Sequence, residues 1–348
     1  MLKRISLAVI PAIVLAATFN VYGQAPEGRG QGRGQGRGEG RGEGRGQGRG
    51  DGAGGQRGEG ARGAAPAPAA QAPAQMIKQI KPGLYMVTGA GGNSTVRVTD
   101  QGVILVDTKN LGENFYNDLV AQIKTVTSQP VKYVVITHVH QDHSGNIGRF
   151  VKAGATVITN IGLKQELETG GADGKGYTSA QGKPDAPNQT YNGKSKKISL
   201  GKAKAEIYHF GKAHTGGDSE VYFPDVKVIS MGDELVAQPP NADYPNGGSV
   251  LEWPGVLANA LKLDWDTAIP GHGNDPMTRA DVMAFQHKMD LVAKKAIELR
   301  KQGVAKDQIR AQIQAQVPEM APWMMTGLVN DMRLDAFYNE LSAATKSK

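Results

Sequence analysis

The sequence predicts an α/β fold in which two packed sheets carry helices on their outer faces. Short runs rich in β-forming residues recur from residue 83 onward, and Gly, Asn, Asp or Pro separates them. Several of these runs precede the first segment with helical periodicity, and strands and helices alternate after it. This order of elements favours two layered sheets with helices outside them.

The individual elements follow from periodicity and from their end signals. The long helix has the clearest ends, because Thr278 can cap it with Asp281 three residues on, and Gly303 ends it. The predicted strands are Gly83–Thr88, Ser94–Thr99, Val103–Asp107, Val131–His138, Ala155–Thr159, Ala205–Phe210, Glu220–Phe223 and Val226–Met231. The predicted helices are Phe115–Thr125, Leu251–Leu261, Ala280–Gln302, Ala305–Gln316 and Ala321–Ser347.

Residues 164–198 are predicted to form a long loop. They are rich in Gly, Asp, Asn, Gln and Lys and contain few large apolar residues. Long loops in compact domains are often functional, so we expect this one, with Tyr177 and Tyr191, to act as a lid.

Residues 1–23 have the pattern of a secretory signal. Lys3 and Arg4 form a positive start, and a short apolar run follows over residues 5–18. Cleavage is predicted after Gly23, which makes Gln24 the new N-terminus. We therefore expect an exported protein, periplasmic or secreted, without a transmembrane domain after signal cleavage; an uncleaved anchor is the alternative.

Residues 24–75 are predicted to be a disordered linker. Residues 26–63 repeat Gly-Arg-Gly followed by Gln or Glu, and a stiffer Ala/Pro-rich spacer follows over residues 64–75. Arginine–glycine tracts can bind RNA, but this one has no aromatic residue for base stacking, and its acids offset much of its charge. We interpret it as a solvated tether, with weak adhesion to an anionic surface as the alternative.

Charge and cysteine content exclude several classes of function. The net charge of +7 is concentrated near the N-terminus, so residues 64–348 are close to neutral and no specific nucleic-acid partner is expected. The chain has no cysteine, which excludes disulfides, thiolate metal sites, iron–sulfur clusters and a cysteine nucleophile. The folded part divides into a domain over residues 76–278 and a helical extension over residues 279–348.

A dense group of metal-ligating side chains follows the apolar residues of the predicted strand Val131–His138. His138, His140, Asp142 and His143 lie within six residues. In an extended chain His138 and His140 point the same way, so their imidazoles can bind one ion. A turn must follow, and it lets Asp142 and His143 face a second ion. This spacing is typical of a transition-metal site.

Three more candidate ligands, His214, Asp233 and His272, stand in polar or glycine-rich turns. Their contexts are Ala-His-Thr-Gly-Gly-Asp, Ser-Met-Gly-Asp and Pro-Gly-His-Gly. Together with the H-x-H-x-D-H motif at 138–143, they occur in the order found in the metallo-β-lactamase superfamily. The sequence resembles this family over roughly residues 80–275, and the specificity lies in the complete ligand set.

The resemblance implies a four-layer αββα sandwich with two metal ions at the edge of its sheets. Zinc is the expected metal for imidazole-rich ligation, two ions per chain, although iron or manganese also suits a carboxylate bridge. The two carboxylates among the ligands, Asp142 and Asp233, are the expected catalytic residues. By ion, the implied ligands are His138, His140 and His214 for the first, Asp142, His143 and His272 for the second, and Asp233 as a bridge.

Two metals at this spacing lower the pKa of a shared water, and the resulting hydroxide attacks a carbonyl or phosphoryl centre. Our leading interpretation is an exported dinuclear zinc-dependent hydrolase of a small-molecule ester, lactone, thioester or amide. A β-lactamase acting on β-lactam antibiotics is one alternative. However, one β-lactamase subclass has a metal-binding Cys where this chain has Asp233, and a subclass without that Cys usually lacks the bridging Asp. The second alternative is a non-catalytic metal- or cofactor-binding protein.

Other residues have two readings each. Asp107 either orients a metal ligand from behind or bonds backbone groups in its own turn. Tyr244 and Asn246 are candidates for substrate binding, since a Tyr there can bond a developing oxyanion, and packing in a Pro/Asn turn is the alternative. The C-terminal helices either close the pocket or form a dimer, so the oligomeric state stays open. His209 and His287 are expected to be structural or surface residues, and Trp323, Met324 and Met325 core residues.

Overall fold

The computed structural model of the protein describes residues 72–169 and 186–346, and it confirms the predicted α/β sandwich. In these residues two mixed sheets pack face to face, and helices cover the outer face of each. Among the helices of these two ranges, none combines the length and apolarity that a membrane span requires. The predicted signal and linker, and Tyr177 in the predicted lid, lie outside the described residues.

The N-terminal sheet has seven strands among the described residues. In order across the sheet they are β1 (Met76–Lys81), β2 (Leu84–Thr88), β3 (Ser94–Thr99), β4 (Gly102–Val106), β5 (Val131–Val135), β6 (Thr156–Asn160) and β7 (Gln189–Tyr191). Strands β1 to β4 pair antiparallel, and β4 to β7 pair in parallel. Parallel neighbours need crossover connections, which here contain helices. These are α1 (Glu113–Lys124), α2 (Gln141–Ser144), α3 (Ile147–Lys152) and α4 (Ile161–Thr169).

The C-terminal sheet has six strands in the described residues. They are β8 (Ser195–Leu200), β9 (Ala203–Tyr208), β10 (Glu220–Phe223), β11 (Val228–Ser230), β12 (Thr267–Ile269) and β13 (Met277–Thr278). Only β11 and β12 pair in parallel among these strands, and helix α5 (Trp253–Ala260) connects them. The chain continues as α6 (Arg279–Lys301), α7 (Lys306–Gln316), α8 (Met325–Leu328) and α9 (Leu334–Lys346).

Apolar residues fill all three spaces between the layers. Between the sheets, Leu84 and Ile104 meet Ile207 and Val221, and all four are fully buried. Helices α1, α3 and α4 cover the outer face of the N-terminal sheet, and α5 and α6 cover that of the C-terminal sheet. Each such side chain contributes about 1.5–3 kcal/mol by leaving water. The packed layers hold the strand ends, from which the site is built, in fixed positions.

Several predicted elements match the structure closely. Ser94–Thr99 and Glu220–Phe223 agree residue for residue. Helix α6 begins with the predicted capping box, in which Thr278 and Asp281 bond each other's backbone N–H groups. Of the predicted core residues, Trp323 and Met325 are buried, but Met324 is 56 % exposed and does not belong to the core.

The predicted strand Val131–His138 is too long, because β5 ends before the histidines. Thr137 explains the end. Its backbone N–H and its hydroxyl both donate to the carboxylate of Asp107 instead of pairing with a neighbouring strand. His138 and His140 therefore project from an irregular bend and not from an extended strand.

The predicted loop over residues 164–198 is wrong at both ends. Its start continues α4, where Leu163 and Leu167 are buried, and its end contains β7 and β8. Strand β8 lies at the edge of its sheet and is rich in lysine. Its polar composition suggested a loop, but an edge strand can carry the same solvent-facing residues. Tyr191, predicted to belong to the lid, is buried in β7 with its hydroxyl 2.9 Å from Ser219 Oγ.

The predicted helix Ala321–Ser347 is wrong as a single element. A 3-10 turn over Asp331–Arg333 separates α8 from α9, and Asn330 before it is extended. Apolar spacing suggested one helix because buried residues occur on both sides of the break, such as Leu328 and Phe337.

Candidate metal centre

The predicted ligands converge at one edge of the sandwich, where the carboxyl ends of several strands meet. Each residue offers one ligand atom, and within each of two groups these atoms lie within 4.8 Å of one another. We call the first the His138 group and the second the Asp142 group. The His138 group consists of His138, His140, His214 and Asp233, and the Asp142 group of Asp142, His143 and His272.

Asp233 lies between the two groups. It stands in a 3-10 turn directly after β11. Its Oδ2 is 3.7 Å from Nε2 of His214 and 3.4 Å from Nε2 of His272, and its Oδ1 is 3.2 Å from Nε2 of His143. One carboxylate thus faces imidazoles of both groups, as a bridging ligand must.

Asp107 supports the Asp142 group from behind. Its Oδ2 accepts hydrogen bonds from Nδ1 of His143 and from the hydroxyl of Thr137, and its Oδ1 accepts from the backbone N–H of Thr137, each at 2.8 Å. The residue is buried in a left-handed conformation with φ of 61°, which Asp tolerates better than most residues. It fulfils both readings made from the sequence, because it orients a candidate ligand and closes its own turn.

The His138 group has outer partners that the sequence analysis missed. Nε2 of His140 donates to Oδ2 of Asp243 at 2.7 Å. Nδ1 of His214 donates to the backbone carbonyl of Asn241 at 2.7 Å. Both partners lie on one short stretch after Asp233, where no sequence motif marks them.

These outer partners fix which ring nitrogen each histidine turns towards the centre. Thr137 donates its hydroxyl to Asp107, so its oxygen is left to accept from Nδ1 of His138, 3.1 Å away. When each ring holds a single proton, on the nitrogen bonded to these partners, Nε2 of His138 and of His143 carries the lone pair. By the same argument His214 presents Nε2 and His140 presents Nδ1, and these two atoms are 2.9 Å apart.

The arrangement fits a metal ion. In the described part of the chain, two buried atoms at the centre, Nε2 of His138 and Oδ1 of Asp233, have no hydrogen-bond partner. Buried polar atoms without partners are costly, and a coordinated cation would satisfy both. Imidazole and carboxylate donors with outer support are those that zinc, iron and manganese sites use.

Ionisation in the metal-free protein differs from one imidazole to the next. Burial lowers the pKa of His214 to about 4 and that of His138 well below its usual range, so both rings are neutral. Burial also opposes protonation of His272, but Asp233 and then Asp142 outweigh it and raise its pKa to about 9. A proton therefore occupies the Asp142 group at neutral pH until a metal replaces it.

Two glycines, Gly92 and Gly271, let their loops pass close to the ligands. A Cβ on Gly92 would lie 2.1 Å from Cε1 of His143, and one on Gly271 would lie 2.0 Å from Oδ1 of Asp233. Lys109, fully buried, holds the first loop by donating to the carbonyls of Val87 and Gly92. Glycine at these two positions is a requirement of the site's packing.

The two predicted substrate residues lie close to the site but have other contacts. Tyr244 donates its hydroxyl to Glu340 of α9, and its ring packs near Phe337. Asn246 donates to Oδ2 of Asp243, the partner of His140. Their role in substrate binding stays a prediction. Of the remaining histidines, His209 contacts the backbone carbonyl of Asp218 through Nδ1, and His287 is exposed on α6.

Comparison with known proteins agrees with this centre. A family profile described as metallo-beta-lactamase superfamily matches residues 87–277, a range that contains every candidate ligand. The chain is 25% identical over 233 residues to a protein of Elizabethkingia meningoseptica named metallo-beta-lactamase type 2, covering 64% of this chain and 87% of that one.

Other relatives carry different names. The chain is 23% identical over 203 residues to the 2,4-dinitroanisole O-demethylase subunit alpha of Nocardioides sp. (strain JS1661), covering 58% of each chain. It therefore spans well under two thirds of that relative's length. The solved structure of the inverting sec-alkylsulfatase Pisa1 from Pseudomonas sp. matches with a TM-score of 0.62 at 20% identity, over 76% of this chain and 50% of that one. This last likeness shows the fold alone.

Proposed function

The chain belongs to the metallo-beta-lactamase superfamily and is a metallo-hydrolase, and from this premise we propose an exported enzyme with two zinc ions. The proposed reaction is hydrolysis of a small ester, lactone, thioester or amide. The observation that carries it is the set of imidazoles whose outer bonds leave one ring nitrogen each for a metal.

Zinc bound to these residues would supply an activated water and a Lewis acid for the substrate carbonyl. The residues of the chain do the rest. His138, His143 and His214 are almost fully buried, so bulk water does not compete at the back of the centre. His140, Asp142 and His272 have side chains 22–30 % exposed, so the substrate approaches from their side.

The two carboxylates, Asp142 and Asp233, have different roles. Burial alone would raise the pKa of Asp142, but His143 and then His272 outweigh it and hold the pKa well below the usual range. Asp142 is therefore ionised, and its partly exposed carboxylate can accept the proton of an attacking water. Asp233 is more buried and lies between the His138 group and the Asp142 group, so it can hold the two groups in a fixed relative position.

A panel of substrates tests the proposal. We expect the zinc-loaded protein to cleave one of a lactone, a thioester, an amide or a carboxylic ester, with loss of turnover on chelation and recovery on zinc addition. His140→Ala should abolish turnover because it removes a ligand, whereas the matched change His287→Ala, on the exposed face of α6, should not. Full activity of His140→Ala would contradict the proposal.

Hydrolysis of β-lactams is the second candidate, and the Elizabethkingia relative named metallo-beta-lactamase favours it. A chromogenic cephalosporin belongs in the panel for this reason. A phosphodiester, a secondary alkyl sulfate and 2,4-dinitroanisole extend it to the other chemistries of the fold and of the named relatives. Two bound zinc ions without turnover of any of these would favour a binding role instead.

Export is proposed from the N-terminal sequence alone. The positive start, the apolar run and the small residues before Gln24 support cleavage by a signal peptidase. The intact mass of the protein recovered from the expressing cells tests this. We expect a chain that begins at Gln24 in the periplasm or medium, and a full-length chain in the cytosol would contradict it.

A further inference from the structure

A short loop after Asp233 holds two ligands of the His138 group, and it is in turn held by the C-terminal part of the chain. The loop consists of residues 241–243 and is called here the ligand strap. Asn241 orients His214 through its carbonyl, and Asp243 orients His140 through Oδ2. The position of the strap therefore sets the direction of two imidazoles at once.

The end of α8 and the segment that follows it contact the ligand strap through one backbone hydrogen bond and one arginine. Arg333 donates from Nη1 to Oδ1 of Asn241 at 2.9 Å, and its Nη2 lies 3.5 Å from Oδ1 of Asp243. Between these two residues, the backbone N–H of Ala242 donates to the carbonyl of Leu328 at 2.9 Å. All three strap residues thus contact the C-terminal extension.

The chemistry of the contact suits a fixed support. The side chain of Arg333 is 12 % exposed and that of Asp243 is 6 % exposed, so water screens the pair weakly. The planar guanidinium presents several donors in a fixed fork, which allows one side chain to face both Asn241 and Asp243. The second oxygen of Asp243 remains for His140 and Asn246.

Helix α9 makes a second, separate attachment just beyond the strap. Glu340 accepts hydrogen bonds from the hydroxyls of Tyr244 and Ser249. Tyr244 follows the strap directly, and the backbone N–H of Ser249 donates to the carbonyl of Ala213, next to His214. The extension therefore grips this loop at two points along its length.

We propose that the C-terminal extension is a working part of the metal centre, with Arg333 as the residue that positions His140 and His214 through the ligand strap. The extension would then determine how tightly the His138 group binds its ion, although none of the seven candidate ligands belongs to it. This inference rests on the metal site of the proposed function, but not on the hydrolysis of any particular substrate.

The test is the zinc affinity of Arg333→Met, measured by competition with a chromophoric chelator. We expect one of the two zinc ions to bind about 10–100-fold more weakly, as is usual when an outer partner of a ligand is lost, and the other to be unaffected. Arg333→Lys keeps the charge but not the planar fork of donors, so its zinc affinity should lie between those of Arg333→Met and the unmodified protein. The visible spectrum of the cobalt(II) form should change in Arg333→Met, which a mere loss of stability would not produce.

Arg97→Met is the matched control. Arg97 is 13 % exposed, carries an ion pair with Asp225, and lies on β3 away from the ligands. The Arg97→Met substitution should lower the free energy of unfolding without changing either zinc affinity. If both zinc affinities of the two Arg333 variants equal those of the unmodified protein, the inference is wrong. If the unmodified protein itself binds no zinc, the proposed function fails first, so the two failures are distinguishable.

Discussion

The two ligand groups differ in how firmly the rest of the chain holds them. In the His138 group all three imidazoles have outer partners, which are Thr137, Asp243 and the carbonyl of Asn241. In the Asp142 group Asp107 holds His143, whereas Asp142 and His272 contact each other at 3.2 Å near the open side. The ligands of the first site are therefore held by other residues of the fold, whereas two ligands of the second site are held partly by each other. We therefore expect the first zinc to enter the His138 group.

Removal of Asp107 should have the largest effect on this difference. Asp107→Ala leaves the buried donors of Thr137 and His143 without an acceptor, so we expect a loss of about 3–5 kcal/mol in the free energy of unfolding. Zinc should be lost mainly from the Asp142 group, because His143 loses its direct partner. Denaturant unfolding and zinc stoichiometry measure the two effects.

Asp107→Asn is the control for that variant. Asn accepts the same left-handed conformation and keeps an acceptor for the backbone of Thr137, so it should be milder. Equal stability of Asp107→Ala and the unmodified protein would show that Asp107 is not a support.

Gly92→Ala should damage the Asp142 group alone. The added Cβ would lie 2.1 Å from the ring of His143, which is itself locked by Asp107, so the ring or the loop must shift. We expect a loss of about 1–3 kcal/mol in stability and a weaker second zinc. Gly255→Ala, at a glycine that like Gly92 has no positive φ but has no atom within 4 Å of its absent Cβ, is the matched control. Unchanged binding of both ions would contradict this account of Gly92.

Lys109→Met should have a smaller effect at the same place. The change leaves the carbonyls of Val87 and Gly92 without the donor that fixes the loop beside His143. We expect about 2 kcal/mol lower stability and a modest weakening of the second zinc, with the first unchanged. Isothermal calorimetry with zinc measures the affinity of each ion separately. A greater loss of affinity for the first zinc than for the second would contradict this difference between the two groups.

The smallest effect on the zinc ions is expected from two acids that are not ligands, Glu220 and Glu234. Glu220 and Glu234 are buried together, and burial followed by repulsion from Asp218 raises the pKa of Glu220 to about 8. Below that pH the folded state keeps a proton that an unfolded Glu releases above about pH 4.5. Stability should therefore fall as pH rises from 5 to 8. Glu220→Gln should flatten this slope by about 1 kcal/mol per pH unit, and an unaltered slope in thermal unfolding would contradict the assignment.

The sequence predicted the layers of the fold better than it predicted the surroundings of the site. Strands such as Glu220–Phe223 were found because their burial appears in local composition. Strand β8 was missed because an edge strand with Lys196 and Lys197 resembles a loop in composition. The break between α8 and α9 was missed because buried residues on both sides, such as Leu328 and Phe337, continue the apolar spacing across it.

The site shows the same limit. The candidate ligands were found because their residue types and spacing form a motif, and the structure brings them together. Asp243 and Arg333 were missed because nothing in their neighbours along the chain indicates a role. Arg333 is 90 residues from Asp243, and only the folded chain shows the contact between them.

The central claim is that these side chains bind two metal ions, and a zinc titration tests it most directly. The measurement is zinc bound per folded chain, followed with a competing chromophoric chelator. The account predicts two ions with unequal affinities, the tighter one being lost in His214→Ala and the weaker one in His272→Ala. No zinc bound by the folded protein under zinc-replete conditions would contradict it.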